Sequence, residues 1–164
     1  RYEGFGPNGT AIIIETLSDN RNRTASEIRS AFNKFNGSLG ENGSVSYLFD
    51  NLGLIVYSVK VCDSNSILEI GIELGVQDVN TNDGYHEIFC NKDDFTKIRD
   101  NLISKFGDPE EASVVWKAKS NMSLSEEAKF SSFKFLNFLD ELEDIQNFFY
   151  NFEISDEDMI KFQE

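Results

Sequence analysis

Between Thr24 and Gly37 lies the pattern that most limits how this chain can fold. Ala25, Ile28, Phe32 and Phe35 recur at helical spacing, so one face of a helix is apolar and buried. Thr24 and Glu27 stand in capping-box register: the Thr24 hydroxyl can accept a first-turn N–H while Glu27 reaches back to the cap. Gly37 occupies the place where a left-handed residue ends a helix. The expected helix therefore runs from Thr24 to about Asn36. Its other side is basic and polar, with Arg21, Arg23, Arg29 and Lys34 among Asn20, Asn22 and Asn33. A helix start with exposed N–H groups, a positive dipole end and guanidinium forks suits a phosphate or carboxylate. The same residues also describe an ordinary solvated helix face.

Around this helix the chain alternates short strands and helices. Ala11–Thr16 is β-branched and reads as a strand. The preceding GFGPNG, residues 4–9, matches G-x-G-x-x-G but leads into that strand and not into a helix. It is therefore a turn and not a dinucleotide fingerprint. Asn36-Gly37 and Asn42-Gly43 bracket a loop, and strands are expected at Val45–Phe49 and Leu54–Val59. From Cys62 onward the pattern gives a helix capped near Asp63 with Ile67, Ile70 and Leu74. A strand Tyr85–Cys90 follows, then a helix with Phe95, Ile98, Leu102 and Phe106, and a strand Ala112–Ala118. A Phe-rich helix capped at Ser123 or Ser125 runs to about Glu143, and Gln146–Ile154 closes as a strand. The tail Ser155–Glu164 is expected to fray.

With residues 61–119 set aside, the remainder reads strand, helix, strand, strand, helix, strand. That is the βαββαβ order of a ferredoxin-like α+β domain, residues 1–60 and 120–164, with a second small α+β domain inserted at 61–119.

Charge narrows the partners. The net charge is −14, yet residues 1–60 carry six basic and six acidic side chains and are neutral. The excess acid lies wholly downstream, so a polyanion would have to meet the first third of the chain. No apolar run approaches the roughly 18 residues that span a bilayer, so no membrane partner is expected. Cys62 and Cys90 are isolated and read as reduced thiols of a cytoplasmic protein. A chain opening at Arg1 in mid-pattern reads as a piece of something longer.

RYEGFGPNGTAIIIETLSDNRNRT, then EIRSAF and NGSLGENGSVSYLF, resembles the central region of the YebC/PmpR family. GVQDV at Gly75–Val79 and the closing LDELEDIQNFFYNFEI are similar to later parts of the same proteins. The resemblance covers nearly the whole chain. It implies three domains, an N-terminal helical one, an α+β one, and a third inserted in the second, of which this chain holds the last two. It also implies a non-enzymatic regulator that associates with nucleic acid, as a DNA-binding transcriptional regulator or as a ribosome-associated translation factor. The partner is then DNA or ribosomal RNA, met with help from the missing helical domain; separately from the resemblance, a monomer is expected. Asp19–Thr24 matches the family's DNR-x-RT-like motif, which makes Asn20, Arg21, Arg23 and Thr24 candidate nucleic-acid contacts. Arg29 and Lys34 join them on charge alone.

Catalysis finds little support in the residues. The one histidine, His86, lies in an expected strand, where a satisfied imidazole is commoner than a general base. The acidic pairs Asp93-Asp94, Glu110-Glu111 and Glu126-Glu127 fall at helix starts or turns. No nucleophile–base spacing, metal-ligand cluster or Walker loop is present, so neither cofactor nor metal is expected. The alternative reading is a regulatory module that binds a protein or small molecule between two α+β domains.

Overall fold

A computed structural model describes residues 1–163. Strands β1 (Tyr2–Phe5) and β2 (Ala11–Thr16) pair antiparallel across a tight 3-10 turn at Pro7–Gly9. The glycines of GFGPNG serve this hairpin. A Cβ on Gly4 would lie 2.7 Å from Ser38 O and 2.9 Å from the Phe32 ring, while Gly9 turns the chain with φ at 74°. Helix α1 (Arg21–Lys34) follows, then the short strand β3 (Ser38–Gly40), which pairs with β1. Next come β4 (Phe49–Ser58), α2 (Ser64–Leu74), β5 (Asp78–Asn82) and β6 (Tyr85–Asn91). The chain finishes with α3 (Phe95–Phe106), β7 (Glu111–Ala118), α4 (Glu126–Asp140), β8 (Ile145–Tyr150) and α5 (Asp156–Gln163).

The fold is α+β, with two four-stranded sheets of order β3-β1-β2-β8 and β5-β6-β4-β7. The chain divides into two compact units, one formed by Arg1–Asp50 with Lys117–Glu164 and the other by Asn51–Trp116. In the first unit α1 and α4 supply one apolar layer. Ile28, Ala31 and Phe32 of α1 and Phe135, Leu136 and Leu139 of α4 pack on Ile12 and Ile14 of β2. Phe32 and Phe135 meet edge to face with centroids 5.2 Å apart. In the second unit Ile67 of α2 and Ile98 and Leu102 of α3 cover Ile55, Tyr57 and Ile88 of the sheet.

The ferredoxin-like order is present, but in the other unit. Residues β4-α2-β5-β6-α3-β7 run βαββαβ, and counted within that unit the sheet order is strand two, three, one, four. The first unit instead runs ββαβ and then αβ, because Leu54–Val59 belongs to the second sheet and Tyr2–Phe5 supplies a strand that GFGPNG conceals. Val45–Phe49 is likewise no strand: a 3-10 turn occupies Ser46–Leu48. The cause is Glu3, a fully buried carboxylate reached by no local pattern. It accepts hydrogen bonds from Gly43 N at 2.9 Å, Val45 N at 3.2 Å and Ser46 N at 2.8 Å, and Arg1 Nε lies 3.1 Å away. Those N–H groups are thereby withdrawn from any sheet ladder. The C-terminal tail is also ordered otherwise than expected, as α5 over Asp156–Gln163; Glu164 lies outside the described residues.

Burial alone would raise the Glu3 carboxyl, but the three backbone donors outweigh it and hold it below the usual carboxylate range. A folded-state value below the unfolded one gives stability that is complete above the unfolded value and is lost as pH falls through the folded one. Glu3→Gln is therefore expected to lower the urea midpoint at pH 7 and to shrink the loss of stability between pH 7 and the acid range. Phe135→Ala, which opens a cavity between α1 and β2, is expected to cost about 3–5 kcal/mol in the same titration.

Candidate functional site

Helix α1 begins three residues before the expected start. Asn20 and not Thr24 is its N-cap, its side-chain oxygen accepting from Arg23 N at 3.1 Å. Thr24 becomes a first-turn residue, buried at 2% exposure, with its hydroxyl donating to Asp144 Oδ2 at 2.7 Å and 2.6 Å from Ser18 Oγ. Asp144 lies in the turn between α4 and β8 and gathers more than this one donor. The Arg23 guanidinium reaches it from Nη2, 3.0 Å from both carboxylate oxygens, and from Nε at 3.3 Å. Arg23 Nη2 also meets Asp19 at 3.2 Å. A further tie runs through the backbone, Leu17 N donating to Asp144 O at 2.9 Å.

Hydrogen bonds from Thr24 first, and from Arg23 next, hold the Asp144 carboxyl below its ordinary range. Asp144 in turn raises the Arg23 guanidinium, which keeps its charge throughout. Three of the sequence-selected residues, Asn20, Arg23 and Thr24, thus fix the first turn of α1. Beside Arg23 opens a cleft of about 250 Å³ lined by Glu27, Glu141, Leu142, Glu143 and Asp144. Four carboxylates around one arginine make this side of the helix anionic.

The opposite side differs. Arg21 and Arg29 are exposed and, among the described residues, neither forms an ion pair. They stand eight residues apart on one helical stripe with Ala25 between them, about 12 Å along the axis. Arg21 also lines an open cleft of about 430 Å³ with Arg1, Tyr2, Thr16, Leu17, Ser18 and Thr24. The first turn of α1 contains no acidic residue, although a helix start favours one, and it contains Arg21 and Arg23 instead. Asp19 and Asp144 offset Arg23. Arg21 is left at the positive dipole end with no carboxylate, an arrangement that an incoming anion would relieve. Lys34, in the last turn, has a favourable place on the dipole and lies 4.5 Å over the Phe138 ring, which gives it a packing role besides its charge.

In the second unit His86 is fully buried. Its Nε2 lies 2.8 Å from the carbonyl of Cys62, which can only accept, so Nε2 bears the proton and Nδ1 accepts from Thr81 Oγ1 at 2.7 Å. Both ring nitrogens are committed to holding β5, β6 and the residues before α2. Burial, with Asp63 and Asp94 as lesser causes, raises the thiols of Cys62 and Cys90 respectively, which are both free. Among the described residues no group of His, Cys, Asp and Glu is arranged to hold a metal ion, and no helix is long and apolar enough to cross a membrane.

Asp144 is the residue that local reasoning misses. It stands in an acidic run after α4, and only the tertiary fold brings it to Arg23 and Thr24.

Two comparisons bear on what this arrangement belongs to. Residues 1–152 match a family model described as TACO1/YebC second and third domain. The crystal structure of a conserved hypothetical protein from Aquifex aeolicus is similar at a TM-score of 0.85 and 38% identity, over 94% of this chain and 64% of that one. The chain thus spans less than two thirds of that protein.

Asp144→Asn removes the charge that Arg23 and Thr24 share. It is expected to lower the melting temperature at neutral pH and to speed amide exchange in the first turn of α1 well before exchange in its Phe32 turn. Since the depressed Asp144 carboxyl contributes above the ordinary carboxylate range and ceases to as pH falls through its folded value, the gap between variant and parent should narrow in acid.

Proposed function

This chain belongs to the TACO1/YebC family, whose second and third domains its residues 1–152 match, and from that premise we propose that it is a non-enzymatic regulator of gene expression that associates with nucleic acid. The observation that carries this reading is the unpaired Arg21–Arg29 stripe at the start of α1. It offers two guanidinium forks and a positive helix end toward one side, in a part of the chain that is neutral while the rest is acidic. Its natural ligand is a phosphate backbone, of DNA or of ribosomal RNA. Arg23, Thr24 and Asn20 act one step back, by holding the turn from which Arg21 projects. Lys34 lies on the other face of the helix, over the Phe138 ring, and contributes charge at its far end.

Two or three phosphate contacts against a net charge of −14 give weak binding. Tight association therefore draws on the helical domain that the family resemblance implies ahead of these two. The protein acts in the cytoplasm as a monomer, without cofactor or metal. Support for the non-enzymatic part comes from His86, whose ring nitrogens are both spent on structure.

The test is a salt titration with the full-length protein. Replacing both Arg21 and Arg29 with Glu is expected to weaken binding and to flatten the plot of log K against log salt by up to about 1.8 on duplex DNA, at about 0.9 per phosphate contact. Ribosome cosedimentation of the same variant separates the two partners. Unchanged affinity and slope on both would exclude this surface. Arg23→Gln should mainly lower the melting temperature.

A further inference from the structure

Helix α2 leaves two large apolar side chains uncovered: Leu68 is 47% exposed and Ile72, one turn on, is 71% exposed. Their place on the helix follows from its repeat. At about 3.6 residues per turn, the order around α2 is Ile70, Ile67, Gly71, Leu68, Ile72. Ile67 and Ile70 belong to the core under α2 and α3. Gly71 rests on β5 and the turn before it, where an added Cβ would come within 2.9 Å of the Val79 and Val76 side chains. Leu68 and Ile72 therefore lie beyond β5, along the outer margin of the sheet.

That margin is a sheet edge. β5 is the end strand of its sheet and, among the described residues, pairs with β6 alone. The two-residue turn Asp83-Gly84, with φ at 51° and 86°, sets Asn82 opposite Tyr85 as the hydrogen-bonded pair that closes the hairpin. Bonded pairs then alternate along the strand, so the N–H and C=O groups of Val79 and Thr81 point away from β6. Val79 N accords with this, because it donates to Asp78 Oδ1 at 3.0 Å and not to β6. Outward groups of this kind are what an added strand pairs with. Side chains alternate as well. Val79 and Thr81, opposite Ile88 and His86, face α2, while Asp78 and Asn80, with Glu87 opposite Asn80, face the other way.

We propose that this edge, with Leu68 and Ile72 beside it, docks an extended segment of a basic protein partner in which apolar residues alternate with lysine or arginine. The segment adds as one more strand next to β5, with main-chain bonds to Val79 and Thr81. Its apolar side chains lie on the α2 side against Leu68 and Ile72, and its cations reach Asp78 and Glu87 on the other face. From Val61 to Asn91 the chain carries six acidic side chains and neither lysine nor arginine. That field attracts a cationic segment and repels a nucleic-acid strand, and a second copy of this chain would bring the same acids against it. Asp78 adds selectivity: its carboxylate covers Val79 N until a cation draws it away, so a neutral or acidic strand meets a blunted edge. The site lies in the second unit and does not draw on the phosphate-binding reading of Arg21 and Arg29.

Amide exchange read by NMR on the whole chain tests this, with the end-blocked peptide Lys-Val-Lys-Val-Lys-Val-Lys as the probe. On saturation the Val79 and Thr81 amides are expected to slow by about tenfold or more, while that of Asn80, already bonded to β6, changes little. Replacing Leu68 and Ile72 together with Ser is expected to weaken peptide binding by about tenfold or more, with the melting temperature little changed because both side chains are exposed. A peptide of the same composition in two blocks, Lys-Lys-Lys-Lys-Val-Val-Val, should bind more weakly, and one alternating Glu with Val should not bind. Equal binding of the block peptide, or binding that leaves Val79 and Thr81 unprotected, would reduce the effect to charge attraction and overturn the proposal. Protection of those two amides that rises with chain concentration alone would give the edge to a second copy and overturn it equally.

Discussion

The geometry at the start of α1 depends on one carboxylate. Asp144 receives Arg23, Thr24 and the backbone of Leu17 from one segment, while its own chain position is set by the end of α4 and the start of β8. It therefore ties the entry of one helix to the exit of the other, across the sheet they both cover. The tie is charge-assisted and half open to solvent, with the Asp144 side chain 14% exposed and that of Arg23 46%. With Arg23 so committed, the helix start acquires two unlike sides. One has an arginine tied to carboxylates, the other an arginine with none.

This division lets a strongly acidic chain accommodate the phosphate-binding role proposed above. Net charge governs long-range attraction, and −14 repels a polyanion at low salt. Contact, however, is decided within about a Debye length, roughly 8–10 Å, where the local arrangement outweighs the sum. Arg21 and Arg29 lie on the far side of α1 from Glu141, Glu143 and Asp144, and the first turn has no acid of its own to quench the dipole. The acidic face then has a use of its own. In the proposed role its carboxylates repel phosphate from the Arg23 side, which favours approach on the Arg21 side.

The sequence made some of this legible and concealed the rest for identifiable reasons. Helices were readable wherever caps and period agreed: Asp63 caps α2 and Ser125 caps α4 as their spacing suggests. The α+β class followed from the alternation of elements, and the family from several motifs in order. The helix start at Arg21 was missed by three residues because Asn and Thr are comparable caps, and the Thr24 hydroxyl was already claimed by Asp144 from 120 residues away. Strand β1 was hidden because its glycine, kept small by Phe32 and Ser38, looks like part of a turn. The 3-10 turn at Ser46–Leu48 carries an alternating strand pattern that Glu3 overrides through the backbone. In each case a long-range polar contact or a close approach defeated a correct local rule. Of the six candidate residues the pattern could supply identity but not availability, since pairing with Asp144 is invisible in one dimension.

The second unit sharpens where function should be sought. Two of its buried polar groups are employed in closing the fold: His86 bridges Thr81 and Cys62, and the Tyr57 hydroxyl, raised by burial, donates to Gly107 O at 2.7 Å where α3 ends. Gly53 is held to a hydrogen by Phe95 and Cys90, 2.6 Å and 2.8 Å from where a Cβ would sit. A ferredoxin-like sheet packed this way spends its chemistry on rigidity. The first unit differs at the start of α1. There Arg21 stands exposed in the first turn of a helix against the preference of the dipole, and among the described residues it forms no ion pair. A residue that works against local stability without a structural return is where a binding role is most economically located.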